Sequence, residues 1–228
     1  MYTDSHGMSL TQYPRPSVAV DTAVLTVDDA EGLVVLEVRR QNGTGWSLPG
    51  TFLHEGEVLA EAVDRSLRVK ANVQGLHPQQ LHVFDAPGRD DRGWVLSVAH
   101  VDVVPVGRLE ARLPDATRLV PVTAPGRLIY DHAEIIERAV GHVRSRYAAT
   151  PDPDGLLGAE FTIRDLRRLH EHVAGREIQR DWFRRTMEPQ LVATGVMVAR
   201  GRGRPAEVFR RPSRTRTRSG RASSRTST

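Results

Sequence analysis

The chain has 228 residues, 39% apolar and 26% charged, with no cysteine and a formal charge of +4. That fits one large domain or two small ones and excludes disulfides, zinc fingers, iron–sulfur ligation and thiol catalysis. No apolar run approaches the roughly 20 residues of a membrane span, and the first sixteen residues lack a signal peptide's apolar core, so a soluble, cytoplasmic protein is expected. Of the 32 basic residues only Lys70 is a lysine, a bias a GC-rich genome would produce. Residues 1–155 hold 15 basic and 21 acidic side chains, whereas 156–228 hold 17 and 7. Codon bias acts on both halves and cannot make that split. An acidic unit joined to a basic one implies that only the second meets a polyanion.

In chain order, residues 1–16 are polar and proline-bearing, a flexible arm. Val18 to Leu25 and Leu33 to Arg39 predict strands around a turn at Asp28, Asp29 and Gly32. Trp46-Ser47-Leu48-Pro49-Gly50 leads through a loop to a helix over Val58 to Ala71. Gln80 to Phe84 and Trp94 to Val104 predict strands flanking the polar turn 87–93. Asp131 to Tyr147 predicts a helix whose apolar face is Ile135, Ile136, Ala139, Val140 and Val143. Pro151-Asp152-Pro153-Asp154-Gly155 breaks it at the charge switch, which sets the expected boundary between a first domain, 17–150, and a second, 156–212.

The second unit reads as local in its logic. Thr162 is an expected N-cap for a helix closed by Gly175. A second helix runs from Gln179 to Glu188, and strands over Val196 to Ala199 and Ala206 to Phe209 flank the arginine- and glycine-rich connection 200–205. This is the pattern of a winged helix-turn-helix. Residues 213–228, with five arginines and no acid, predict a disordered Arg/Ser/Thr-rich tail.

Leu48-Pro49-Gly50, with Glu57 and Arg65 following in register, resembles the Nudix box. In working Nudix hydrolases later glutamates hold magnesium against a diphosphate, because this ion demands oxygen ligands. Here those places carry Ser66, Val69 and Lys70, Thr51 replaces the second of two paired glycines, and Asn72 replaces a further one. Positions 66, 69 and 70 share an arc of roughly 100° on a helix, so the carboxylate face is replaced by a hydroxyl, an isopropyl group and a cation. Neither a catalytic residue nor a metal ligand is expected, and in the family the retained Glu57 and Arg65 brace the loop. Arg39 and Arg40, and Arg89 and Arg92, are suited to a pyrophosphate through their forked donors. They could equally be surface charges paired with Glu37, Asp90 or Asp91. No histidine pair has ligand-like spacing.

On the helix from Gln179, Arg180 and Arg184 share one face, Arg185 adjoins them, and Trp182, Phe183 and Met187 are expected to anchor the other side in the core. An arginine-bearing second helix suits a major groove, with Arg176 and Gln179 at its approach and Arg200, Arg202 and Arg204 on the wing at the phosphates. A solvated basic helix in a protein-binding module is the blander alternative. The two halves together resemble the NrtR family of Nudix-related transcriptional regulators. The carrying runs are 80–84, Arg89-Asp90-Asp91-Arg92-Gly93, 97–100, Tyr130-Asp131-His132 through Ile136, Phe161-Thr162, Asp181-Trp182-Phe183-Arg184-Arg185 and Gly203-Arg204-Pro205-Ala206. The resemblance implies an α+β protein: a Nudix-like α/β/α sandwich with a mixed sheet, then a winged helix-turn-helix. It implies a homodimeric repressor of NAD biosynthesis or salvage genes on palindromic double-stranded DNA, needing no cofactor and sensing ADP-ribose or a related NAD derivative. An active ADP-ribose-type hydrolase and a nucleotide-binding adaptor for RNA are the rival readings.

Overall fold

The computed structural model describes residues 3–40, 44–199 and 205–212. Period-two alternation organises the first half. Strand β1 (Ser17–Asp28) sends Val20 and Val24 to one face and Ala23 and Leu25 to the other, and β2 (Gly32–Arg39) divides Leu36 and Val38 from Leu33 and Val35 in the same way. A strand buried on both faces needs a layer on each. Helix α1 (Leu59–Ala71) covers the first face with Ala62, Val63, Leu67 and Ala71. Helix α2 (His132–Ala149) covers the second with Ile135, Ile136, Ala139, Val140, Val143 and Tyr147. The result is the α/β/α sandwich that the family resemblance implies.

The remaining strands of this sheet are β3 (Trp46–Ser47), β4 (Gly50–Phe52), β5 (Gln79–Phe84), β6 (Val95–Val103) and β7 (Thr117–Pro121). The order is β3-β2-β1-β6-β5, with β4 paired to β1 and β7 to β2. Among the described strands only β1 and β6 pair in parallel, so the sheet is mixed. Strand β7 lay unseen in the sequence because Arg118 and the closing Pro121 mask a five-residue run. Asn72 ends α1 at φ 55°, a left-handed cap that asparagine tolerates. The predicted loose arm has local order, since Asp4 accepts from the His6 and Met8 amides and the Tyr13 hydroxyl.

The second unit comprises β8 (Glu160–Thr162), α3 (Ile163–Ala174), α4 (Arg180–Met187), β9 (Val192–Val198) and β10 (Ala206–Arg210), with strands ordered β8-β10-β9. Thr162 caps α3 by accepting from the Asp165 amide at 3.2 Å while Asp165 accepts from the Thr162 amide at 3.0 Å, and Gly175 closes it at φ 68°. Strand β9 begins four residues earlier than predicted, its pairing with β10 slipping around Gly195 at φ 76°. Helix α3 also ties the second unit to the first. Its Leu166 packs with Phe161, Phe183, Met187 and Phe209, but Leu169 and Val173 belong to the core under α2.

Asp152 ties that junction. Its carboxylate accepts from the Leu156 amide at 2.8 Å, the Leu157 amide at 3.1 Å and the Arg211 guanidinium, while its own amide donates to His170 Nε2 at 3.3 Å. These bonds hold Asp152 at φ 45° and join the end of α2, the linker, α3 and the residue after β10. Among the described residues no helix is long and apolar enough to cross a membrane.

Candidate functional site

A cleft of about 240 Å³ opens where β1, β2 and β4 meet the turn before β6 and the start of α2. Five cations line it, Arg39, Arg40, Lys70, Arg89 and Arg92, with two carboxylates, Asp21 and Asp90. The fold thus gathers the two predicted arginine pairs at one opening, although 49 positions separate Arg40 from Arg89.

Each cation is held differently. Arg92 forks onto Asp90 through Nε at 2.8 Å and Nη2 at 2.6 Å, and lies 4.8 Å from the Phe52 ring centre and 5.0 Å from that of Tyr130. That fork holds the Asp90 carboxyl below the usual carboxylate range. Arg89 has a side chain only 3% exposed and donates to Asp131. Arg39 lies 5.4 Å from the Trp46 ring centre. Glu37, a partner considered for Arg39 and Arg40, is buried and pairs with Arg118 at 2.7 Å instead.

Glu57 and Arg65 lie outside the lining of the cleft. Arg65 pairs with Glu57 at 2.7 Å and also donates to the Phe52 carbonyl at 2.8 Å and Thr51 Oγ1 at 3.0 Å. Glu57 in turn accepts from the His54 amide at 2.9 Å. The pair fastens β4, whose residues do line the cleft, and Arg65 draws the Glu57 carboxyl down to about 2.

Sequence reasoning missed the floor of the cleft. Asp21 is buried, accepting from Ser97 Oγ at 2.5 Å and from His132 Nε2 at 3.3 Å. Burial pushes its carboxyl up, but the bonds from His132 and Ser97 and the charge of Arg89 outweigh that and hold it below its ordinary value. The Leu48 amide donates to His132 Nδ1 at 3.1 Å, which fixes the neutral tautomer with its proton on Nε2. His132 stands in the quoted run 130–136, yet nothing in spacing paired it with Asp21, 111 positions away. Gly50 is obligatory beside them: an added Cβ would fall 1.9 Å from Asp21 Oδ1 and 2.9 Å from the Val20 carbonyl.

The residues present do not fit a magnesium ion. On the α1 arc Ser66 is buried with an unpartnered hydroxyl, Val69 is 57% exposed, and Lys70 donates to the Gly50 carbonyl. Among the described residues no group of three or more histidine, aspartate and glutamate side chains could hold a metal ion. A cationic cleft with aromatic walls can bind a phosphorylated nucleotide, and its two carboxylates, Asp21 and Asp90, are already engaged by Ser97, His132 and Arg92.

A second candidate surface lies on α4. Arg180, Arg184 and Arg185 are exposed, as is Arg176 in the turn before it. Arg184 pairs with Glu188 at 2.5 Å, and Gln179 caps the helix by accepting from the Trp182 amide. Phe183 and Met187 are buried as predicted, but Trp182 is 50% exposed, so it does not anchor the helix and instead stands among the arginines. Arg200, Arg202 and Arg204 and the predicted tail 213–228 lie outside the described residues.

Residues 155–211 match the family model of the NrtR DNA-binding winged helix domain. An ADPR-responsive transcriptional repressor, NtrR, of Acinetobacter baylyi is 25% identical over 210 residues, 88% of this chain and 84% of its own length. An ADP-ribose pyrophosphatase of Methanocaldococcus jannaschii is 31% identical over 130 residues, 55% of this chain and 73% of its length. Among solved structures, Shewanella oneidensis NrtR complexed with a 27mer DNA superposes at a TM-score of 0.70 with 29% identity, covering 86% of this chain and 93% of that one. The Nudix domain of the same protein complexed with ADP-ribose gives 0.51 and 25%, covering 60% and 95%.

Proposed function

The chain belongs to the NrtR family, a Nudix-like domain followed by a winged-helix DNA-binding domain, and from that premise we propose that it is an ADP-ribose-responsive transcriptional repressor. The observation that carries this reading is the pairing of a cationic cleft without a carboxylate face on α1 with an exposed arginine helix, the two units being joined by α3, which gives Leu169 and Val173 to the core under α2 and Leu166 to the core of the winged unit. Arg39, Arg40, Arg89 and Arg92 contact the effector, and Glu57 and Arg65 position the strand beneath it. Arg176, Gln179, Arg180, Arg184 and Arg185, with Arg200, Arg202 and Arg204 on the wing, contact double-stranded DNA. Its targets are genes of NAD biosynthesis or salvage, bound in the cytoplasm by a homodimer at palindromic operators.

Release of DNA requires that ADP-ribose prefer the conformation that binds DNA poorly, and a differential of about 1.4 kcal/mol gives a tenfold effect. Fluorescence anisotropy on a palindromic operator, scrambled DNA and RNA, at fixed salt and with or without ADP-ribose, tests the reading. Selective operator binding that ADP-ribose weakens is expected, and equal binding to all three nucleic acids overturns it.

The similarity to an ADP-ribose pyrophosphatase favours a second reading, a hydrolase with a regulatory appendage. Incubation with ADP-ribose and magnesium decides between them. AMP and ribose phosphate are expected to be absent, and turnover that Glu57→Gln abolishes would establish the enzyme.

A further inference from the structure

Lys70 stands on the arc of α1 where a hydrolase of this fold presents carboxylates to a divalent ion. Its ammonium is half-buried, lines the cleft and donates one of its three N–H groups to the Gly50 carbonyl. Arg65, Arg89 and Arg92 each have a carboxylate partner, but among the described residues none pairs with Lys70. Asp21, whose charge acts on Lys70, already accepts from Ser97 and His132. A cation in this position lacks an anion, and the cleft around it is open.

We propose that Lys70 is a tethered counterion for the diphosphate of the effector, occupying the role a divalent ion fills in a hydrolase, so that ADP-ribose binds without metal. The inference rests on the cleft being the ADP-ribose site. Two features favour an ammonium over an ion at this place. The Gly50 carbonyl, the backbone oxygen beside this place, is engaged by Lys70. Lys70 and Arg92 face the same space as like charges, which a dianionic diphosphate relieves and a divalent cation worsens. Fixing the charge on a helix also removes hydrolysis from the outcome of binding, since an ammonium cannot activate water as a bound metal does.

Titration calorimetry on the full chain with ADP-ribose, in excess EDTA and in millimolar magnesium, tests this directly. Wild-type affinity is expected to agree within about twofold between the two buffers. Lys70→Gln should weaken binding about 10–100-fold in both, the loss of one charge-assisted contact, whereas Lys70→Arg should retain most of it. A melting temperature measured for each variant separates lost binding from lost folding. Binding that requires magnesium in the wild type, or full affinity in a folded Lys70→Gln protein, overturns the role of Lys70 and leaves the cleft as the ADP-ribose site. No binding by the wild type in either buffer overturns both.

Discussion

The cleft and the α4 face both use arginine, and they use it in opposite ways. In the cleft, Arg89 is buried on Asp131 and Arg92 is forked onto Asp90 beneath two aromatic rings, so their positions are set before any ligand arrives. On α4, Arg180 and Arg185 are exposed, and among the described residues only Arg184 has an acidic partner, one turn away. A held guanidinium gives geometric choice among small anions, because little ordering remains to be done on binding. A free one suits a long polyanion, where counterion release supplies the affinity and register is found by sliding.

Salt should separate the two most sharply. If the DNA face neutralises about 6–10 phosphates, operator affinity falls about 10³–10⁵-fold between 50 and 200 mM salt. ADP-ribose affinity should change by less than about tenfold over the same range, and parallel losses measured by anisotropy and calorimetry would erase the distinction. Acid should strike the seam between the regions. Burial lowers the His170 imidazole to about 4, against an ordinary value of 6.5, so the unfolded chain binds the proton more readily. The stability this neutral histidine allows is complete above pH 6.5 and is lost as pH falls toward 4, up to about 3 kcal/mol. Chemical denaturation across that window should show the decline, and His170→Gln should remove much of it.

Smaller effects should fall on one region alone. Gly50→Ala forces a methyl group against Asp21 and the Val20 carbonyl. It is expected to cost about 1–3 kcal/mol of stability and to weaken ADP-ribose, while the folded fraction still binds operator. Arg180→Ala should lose about 1–3 kcal/mol at one base pair, seen by comparing single-base operator variants, and leave calorimetric ADP-ribose binding unchanged.

How legible each part was follows from how far apart its pieces lie in the chain. Helix α3 was readable to its caps, because Thr162, Asp165 and Gly175 act within their own neighbourhood. The α1 arc was readable too, since 66, 69 and 70 are related by helical pitch alone. Arg39, Arg40, Arg89 and Arg92 could be named as anion-binding types, but the sequence does not show that they share one opening. Asp21, Ser97 and His132 form the floor only because β1 and β6 pair side by side and α2 begins above them. Trp182 was misplaced for a related reason. Helical period says which residues share a face, while the depth of burial depends on the partner surface, and Phe183 and Met187 already fill it.

Helix α2 starts at the cleft, where Asp131 holds Arg89 and His132 holds Asp21, and ends where Tyr147 donates to Asp152 at 3.5 Å beside Arg211. Its eighteen residues make a rod about 27 Å long. A tilt of about 5° about the first end displaces the other by about 2 Å, at the junction where Asp152 and Arg211 tie the winged module to the rod.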